Sequence, residues 1–280
     1  MIIKKLLFYG IFVLPWYVAY AQTSRIEIQQ NKCFSAANYL AYQVPPQNSY
    51  SPAPQGYQPF YISTYARHGS RFHLSEYDYV HVLTILQKAD SAGVLSTTGK
   101  KTMEKINRIR QLANGRLGEL TPLGARQHRG IAERMYHNFP EIFSGNTVID
   151  ARSTNVVRCI LSMTAECLQL QALNPQLRIY NDASLHDMYY MNYHDKYLAS
   201  LHADSKAELL KAFKQQHIHP ERLMKVLFTD TVYIQNTIHP SHFMEELFYI
   251  TINMQSHDEK ELDLYHLFTP KECYELWKIG

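Results

Sequence analysis

The stretch Tyr65-Ala66-Arg67-His68-Gly69-Ser70-Arg71 concentrates two guanidinium groups around one imidazole. Imidazole is both a nucleophile and substantially unprotonated near neutral pH. Guanidinium groups beside it can hold the oxygens of a phosphoryl group by paired hydrogen bonds and stabilise charge as it develops. His68 would attack phosphorus through one ring nitrogen while the other donates to a nearby carbonyl and fixes the tautomer. Gly69 permits a sharp turn and a close backbone approach to a ligand. An exposed basic turn is the bland alternative, and it suits a lone His-Gly pair better than this dense pattern.

Other elements must position these groups. Pro59 to Ala66 alternates apolar and polar residues and is rich in aromatic and β-branched types, so it reads as a strand with the motif at its end. The carboxyl ends of strands are where open α/β sheets bind ligands. Asn146 to Ala151 reads as a second strand, followed by Arg152-Ser153-Thr154-Asn155-Val156-Val157-Arg158. Ser153 or Thr154 is suited to cap a helix carrying Val157, Ile160, Leu161, Leu168 and Leu170. Arg158 then falls in its first turns, adding a third guanidinium where free amides and the helix dipole already favour anions. Between the two motifs, Thr121 is a suitable N-cap with Pro122 at the first helical position of an amphipathic helix ending near Asn138.

Arg-His-Gly-x-Arg at 67–71, Leu-Thr-x-x-Gly-x-x-Gln-His at 120–128 and Arg-Ser-Thr-x-x-x-Arg at 152–158 occur in this order. Together they resemble the histidine acid phosphatases, the branch of the histidine phosphatase superfamily that includes phytases. The resemblance is strong over residues 30–180 and weaker beyond. Asn38 to Tyr42 and the lead-in from Pro52 to Pro59 are similar, on softer motifs, to the bacterial multiple inositol polyphosphate phosphatases. The resemblance implies an α/β protein: a histidine phosphatase-like α/β core with an inserted, mostly helical domain. It implies that His68 is the nucleophile and forms a phosphohistidine that water hydrolyses. Arg67, Arg71 and Arg158 would bind the phosphate of a small anionic ester such as phytate, with no metal or other cofactor. Arg152 is read as structural.

The chain departs from this pattern in one respect. The family's general acid comes from a late His-Asp or His-Ala-Glu following a core strand, and no His-Ala-Glu occurs here. His186-Asp187, His194-Asp195 and His202-Ala203-Asp204 lack the strand-then-turn setting. His257-Asp258, after the apolar run Leu247 to Ile252, is the nearest imitation, and the acid is left unassigned. The expected organisation is a signal peptide over 1–21, an N-terminal arm over 22–58, the first part of the α/β core over 59–186 and helices over 187–280. Leu177 to Tyr180 is a third strand candidate, and the final core strands are expected to be missing. Such a chain would expose a sheet edge and fold poorly. The alternative to an active phosphatase is therefore a truncated, impaired or inactive phosphate-binding homologue.

Composition adds compartment and partners. Lys4 and Lys5, the apolar run Leu6 to Val18 and Ala19-Tyr20-Ala21 form a secretory signal pattern, with cleavage expected after Ala21 and a periplasmic or secreted location. After cleavage no other stretch is apolar enough to cross a membrane. A net charge of +3 over 280 residues is too weak for a general nucleic-acid binder. Of four cysteines, Cys159 and Cys167 lie about 12 Å apart along one expected helix, cannot bridge each other and read as buried thiols. Fourteen histidines raise a metal-binding alternative at His217-x-His219 and the His-Asp pairs, without a recognised ligand pattern behind it. Tyr189, Tyr190, Tyr193 and Tyr197 read as packing between helices. A third reading, the phosphoglycerate mutase branch that shares Arg-His-Gly, is disfavoured by the signal pattern and by Arg71 and Arg158.

Overall fold

The computed structural model describes residues 23–46, 51, 53–191, 195–201 and 203–280. The expected signal peptide lies outside the described residues, as do His194, Tyr193 and His202. The segment read as an arm begins with helix α1 (Thr23–Gln30) and a 3-10 stretch, Lys32–Tyr39, opened by the Asn31 side chain, which accepts from the Cys33 amide. Helix α2 (Tyr77–Ser91) buries Tyr79, Val82, Leu83, Leu86 and Ala89, an apolar stripe at helical spacing. Helix α3 (Thr97–Ala113) is capped by Ser96, and α4 (Pro122–Asn138) by Thr121, whose side chain accepts from the Gly124 amide.

Strand β1 (Val148–Ser153), helix α5 (Val157–Leu173) and strand β2 (Arg178–Ala183) form a β–α–β unit. The two strands pair in parallel, Val148 opposite Arg178 and Ser153 opposite Ala183. A parallel pair needs a crossover of this length, and α5 supplies it. Two short helices, α6 (Met188–Met191) and α7 (Lys196–Ser200), precede α8 (Ala203–His217), α9 (Glu221–Leu227), α10 (Thr231–Thr237), α11 (Pro240–Asn253) and α12 (Pro270–Trp277). Thr269 and Glu272 close a capping box at the start of α12.

Two apolar clusters organise these elements. The larger takes residues from α1, α2, α3 and α9 to α12. The helical body is therefore not confined to residues 187–280: α2 packs on α11 and α3 on α9, because the stripes of the earlier helices have no sheet face to cover. The smaller cluster, Ala132, Phe143, Leu170 and Leu177, joins α4, α5 and the sheet.

Three expectations need correction. Residues 59–66 are extended but unpaired, so they are not a strand: Ile62 packs on the smaller cluster while Phe60 and Tyr65 are 93% and 83% exposed. A strand is defined by a partner ladder, and among the described residues β1 is paired with β2 alone. Helix α5 begins without a side-chain cap, since Val156 is its N-cap; Ser153 remains in β1, its hydroxyl donating to the Thr154 carbonyl. Tyr189, Tyr190 and Tyr197 are exposed rather than packed between helices, because α6 and α7 are too short to be covered. The four cysteines are free, with Cys167 buried and Cys159 half-buried. Among the described residues no helix is long and apolar enough to cross a membrane.

Candidate active site

The loop 67–71 crosses the junction between the β–α–β unit and the helical body, and nearly every peptide group in it is held. Gln127, on α4, accepts from the Ser70 amide at 2.9 Å and donates to the Ser70 hydroxyl at 3.0 Å. The Thr121 amide and hydroxyl both donate to the Ser70 carbonyl, at 2.9 and 3.1 Å. From α5, the Ser162 hydroxyl accepts from the Gly69 amide at 3.1 Å and donates to the Arg158 carbonyl at 2.8 Å. Buried His128 spans Glu166 and the loop, with Nδ1 2.9 Å from Glu166 Oε2 and Nε2 3.1 Å from the Arg67 carbonyl. At the far end, Asn253 of α11 donates to the Arg71 carbonyl at 3.0 Å, tying the loop to the helical body.

Arg67, His68 and Arg71 line one pocket of about 440 Å³, together with Tyr39, Tyr42, Gln127 and Ser256. His68 is half-buried, and its Nδ1 lies 2.8 Å from the Gly69 carbonyl. Donation from Nδ1–H fixes the tautomer and leaves Nε2 with its lone pair. Burial is the largest cause and lowers the His68 pKa to about 4; the Gly69 hydrogen bond, next in size, opposes it, and the charges of Arg158, Arg67 and Arg71 each add a smaller lowering. The imidazole is therefore neutral at neutral and mildly acidic pH.

The arginines are placed differently from one another. Arg67 donates to the Asn38 carbonyl at 2.8 Å. Arg71 donates to the Phe72 carbonyl at 2.8 Å and the Tyr39 hydroxyl at 3.2 Å, with its guanidinium 5.3 Å from the Tyr39 ring centre. Tyr39 in turn hydrogen-bonds the Tyr249 hydroxyl of α11. Arg158 is not on the pocket wall; it sits half-buried behind it, Nη1 3.5 Å from the Gly118 carbonyl and Nε buried without a hydrogen-bond partner. Its charge nonetheless acts on His68 more strongly than that of either other arginine. Among the described residues, none of these three arginines forms a salt bridge to a carboxylate. Three guanidinium groups without a direct carboxylate partner around a neutral imidazole make an anion site, although the charge of Arg71 also acts on Asp78.

The remaining sequence candidates lie elsewhere. Arg152 is engaged by acids, with Nη1 2.9 Å from Asp187 and Nη2 3.3 Å from Asp150. Asp187 is thereby occupied, and His186 beside it is exposed. His257 is buried edge-on against Phe72, and Asp258 pairs with Arg126 at 2.6 Å. Neither lines the pocket, and among the described residues no aspartate or glutamate does. Asp195 caps α7. The metal alternative at His217 is not assembled: its Nδ1 sits 2.6 Å from Glu275 and 3.0 Å from Lys278 Nζ.

Sequence reading gave Thr121 a capping role alone and gave none to Gln127, His128, Ser162 or Asn253. Gln127 and His128 belong to the motif around Gly124 that Thr121 opens, and that motif was the available signal. Ser162 and Asn253 had none, since only folding brings them to the loop.

No protein-family model matches the chain, and no curated protein matches it significantly in sequence. Solved structures do match. Multiple inositol polyphosphate phosphatase of Bifidobacterium longum in complex with inositol hexasulfate superposes with a TM-score of 0.65 at 16% identity, over 84% of this chain and 65% of that one. The complex of the same protein with phosphate gives 0.62 at 17% identity, over 84% and 64%. This chain therefore spans just under two thirds of the length of those structures. Its fold is the histidine phosphatase-like α/β fold with a helical domain that the motifs lead one to expect.

Proposed function

We propose that this chain is a phosphomonoester hydrolase that works through a phosphohistidine on His68 and acts on inositol polyphosphates such as phytate, outside the cytoplasm. The observation that carries the reading is the neutral His68, its Nε2 unprotonated, among three arginines with no acidic partner. The Bifidobacterium longum structures, solved with phosphate and with inositol hexasulfate, support the same class of anion by analogy of fold. The periplasmic or secreted location rests on residues 1–21 alone.

In this reading the phosphoryl group of the ester sits against Arg67 and Arg71, with Arg158 adding charge from behind. Nε2 of His68 attacks phosphorus; the P–N bond forms as the ester P–O bond breaks. Positive charge that develops on the ring is held by the Nδ1–H hydrogen bond to the Gly69 carbonyl. Water then attacks the phosphohistidine, releasing inorganic phosphate and restoring the imidazole. The leaving alkoxide needs a proton, and an acid for that step is not identified.

That gap favours a specific second reading, a phosphate-binding or phosphoryl-accepting protein without efficient turnover. Among the described residues no carboxylate lines the pocket, and neither member of His257-Asp258 does; Asp258 is paired with Arg126. Comparing an aryl phosphate, whose leaving group needs little protonation, with phytate at acidic pH separates the two. Release from both supports the hydrolase, and release from the aryl ester alone supports the impaired form. Activity that survives His68→Ala sinks the phosphohistidine route in either case.

A further inference from the structure

His81 on α2 and His242 and Glu246 on α11 meet where the two helices pack. His81 Nδ1 lies 2.7 Å from Glu246 Oε2, and His242 Nε2 lies 3.1 Å from Glu246 Oε1. One ligand-type atom from each residue falls within 4.8 Å of the others. Two imidazole nitrogens and one carboxylate oxygen are the donor set of open, three-ligand zinc sites. Tetrahedral ligands at zinc distances sit about 3.4 Å apart. The two histidine–glutamate contacts, made to different Glu246 oxygens, must therefore open by up to about 0.7 Å, and any pair near the 4.8 Å limit must close by about 1.4 Å, shifts within reach of side-chain rotation.

Three further observations point to a cation here. The Glu246 side chain is 14% exposed, and among the described residues its salt-bridge partners are these two histidines, with no lysine or arginine taking the role. His81 is oriented from outside by Tyr77, stacked on it at 5.0 Å with 14° between the planes. A cavity of about 190 Å³ opens beside the two histidines, lined by His81, His242, a third histidine, His239, and also Lys88, so a fourth ligand or water has room.

We propose that His81, His242 and Glu246 form a binding site for a zinc-type divalent cation that clamps α2 to α11. Each imidazole binds through an unprotonated nitrogen: an imidazolium gives its extra proton to solvent as the metal enters, and a neutral ring exchanges its proton through solvent to the other ring nitrogen. The ligands come from residues 81 and 242–246, far apart in the chain, so the unfolded protein holds no such site and the ion stabilises the folded form. None of the three residues lines the His68 pocket, so the site stands or falls independently of the phosphatase reading.

The test is titration of the chelator-stripped full chain with Zn²⁺ by calorimetry, with Co²⁺ absorption reporting nitrogen and oxygen coordination. We expect one ion per chain and a Tm raised by several degrees at saturating zinc. His242→Ala, whose side chain is 55% exposed and whose loss leaves the core intact, and Glu246→Gln are each expected to weaken binding at least tenfold and abolish the Tm shift. Metal-free circular dichroism establishes that both variants are folded. A wild-type chain that takes up no zinc overturns the site; so does binding of equal affinity in both variants.

Discussion

A Cβ placed on Gly69 would lie 2.7 Å from the Cα of Gly124, and one placed on Gly124 would lie 2.8 Å from the Ser70 amide nitrogen. The glycines of two separate motifs therefore press backbone against backbone, and each is required by the other. Gly69 does not adopt a positive φ; its smallness serves packing against α4 rather than a sharp turn. Neither obstacle is the end of a flexible side chain, so neither can swing away. Gly124→Ala is expected to destabilise the chain by about 1–3 kcal/mol, at the upper end of overpacking costs, and to displace His68. Urea denaturation measures the first effect. An unchanged midpoint would mean that the two backbones can separate freely.

The His68 environment sets a pH dependence. In the proposed mechanism its neutral form is the nucleophile, and its pKa is lowered to about 4, chiefly by burial, with the nearby arginines adding to it and the Gly69 hydrogen bond opposing. Activity should therefore hold as pH falls through 6 and decline only near pH 4. The acid limb of kcat/KM reports the free enzyme, so it is the quantity to compare with an NMR titration of the His68 ring. A ring titrating near the ordinary histidine value of about 6.5 would contradict the assigned environment.

The two arginines of the Arg-Ser-Thr-x-x-x-Arg motif should separate functionally. Arg158→Ala removes a charge felt by His68 and is expected to lower kcat/KM by about 10²–10³-fold, as for other groups that stabilise transition-state charge. Arg152→Ala breaks an exposed pair with Asp150 and a pair with buried Asp187, both away from the His68 pocket, and should change kcat/KM less than about tenfold. Equal losses in the two variants would show that Arg158 acts through structure alone.

His73 makes the fold acid-sensitive. It is fully buried beside the rings of Tyr39, Tyr79 and Tyr249; neither ring nitrogen makes a hydrogen bond, and the nearest carboxylate, Asp78, is 3.9 Å away. Burial, with the charge of Arg71, lowers its pKa to about 3. The unfolded chain takes up this proton as pH falls through about 6.5, while the folded chain resists until about pH 3. Stability is therefore complete above pH 6.5 and is lost progressively on acidification toward pH 3. His73→Phe should flatten the slope of unfolding free energy against pH across that window, whatever its effect at pH 7. A slope identical to that of the native chain would assign the acid sensitivity elsewhere.

Helix positions were legible in the chain because capping and apolar periodicity are local. Thr121 with Pro122, Thr269 with Pro270 and the stripe of α2 each announce an element within a few residues. The strand expected at 59–66 failed for the opposite reason. Alternation is a property of the segment, whereas a strand exists only with a partner, and β1 pairs with β2. The cap of α5 was misplaced because Ser153 satisfies both β1 and a hydroxyl bond to Thr154, which local spacing does not reveal.

By itself the sequence picked out the candidate groups, one imidazole and its guanidinium neighbours, since these follow from residue type and short spacing. Only the tertiary structure decided the environment of those groups. Among the described residues no carboxylate lines the pocket, Arg158 acts on His68 from behind the wall, and Gln127, His128, Ser162 and Asn253 fix the loop from three different helices. The meeting of His81 with His242 and Glu246 is of the same kind. Burial, charge proximity and hydrogen bonding between distant residues depend on distances that the chain acquires only when its helices pack.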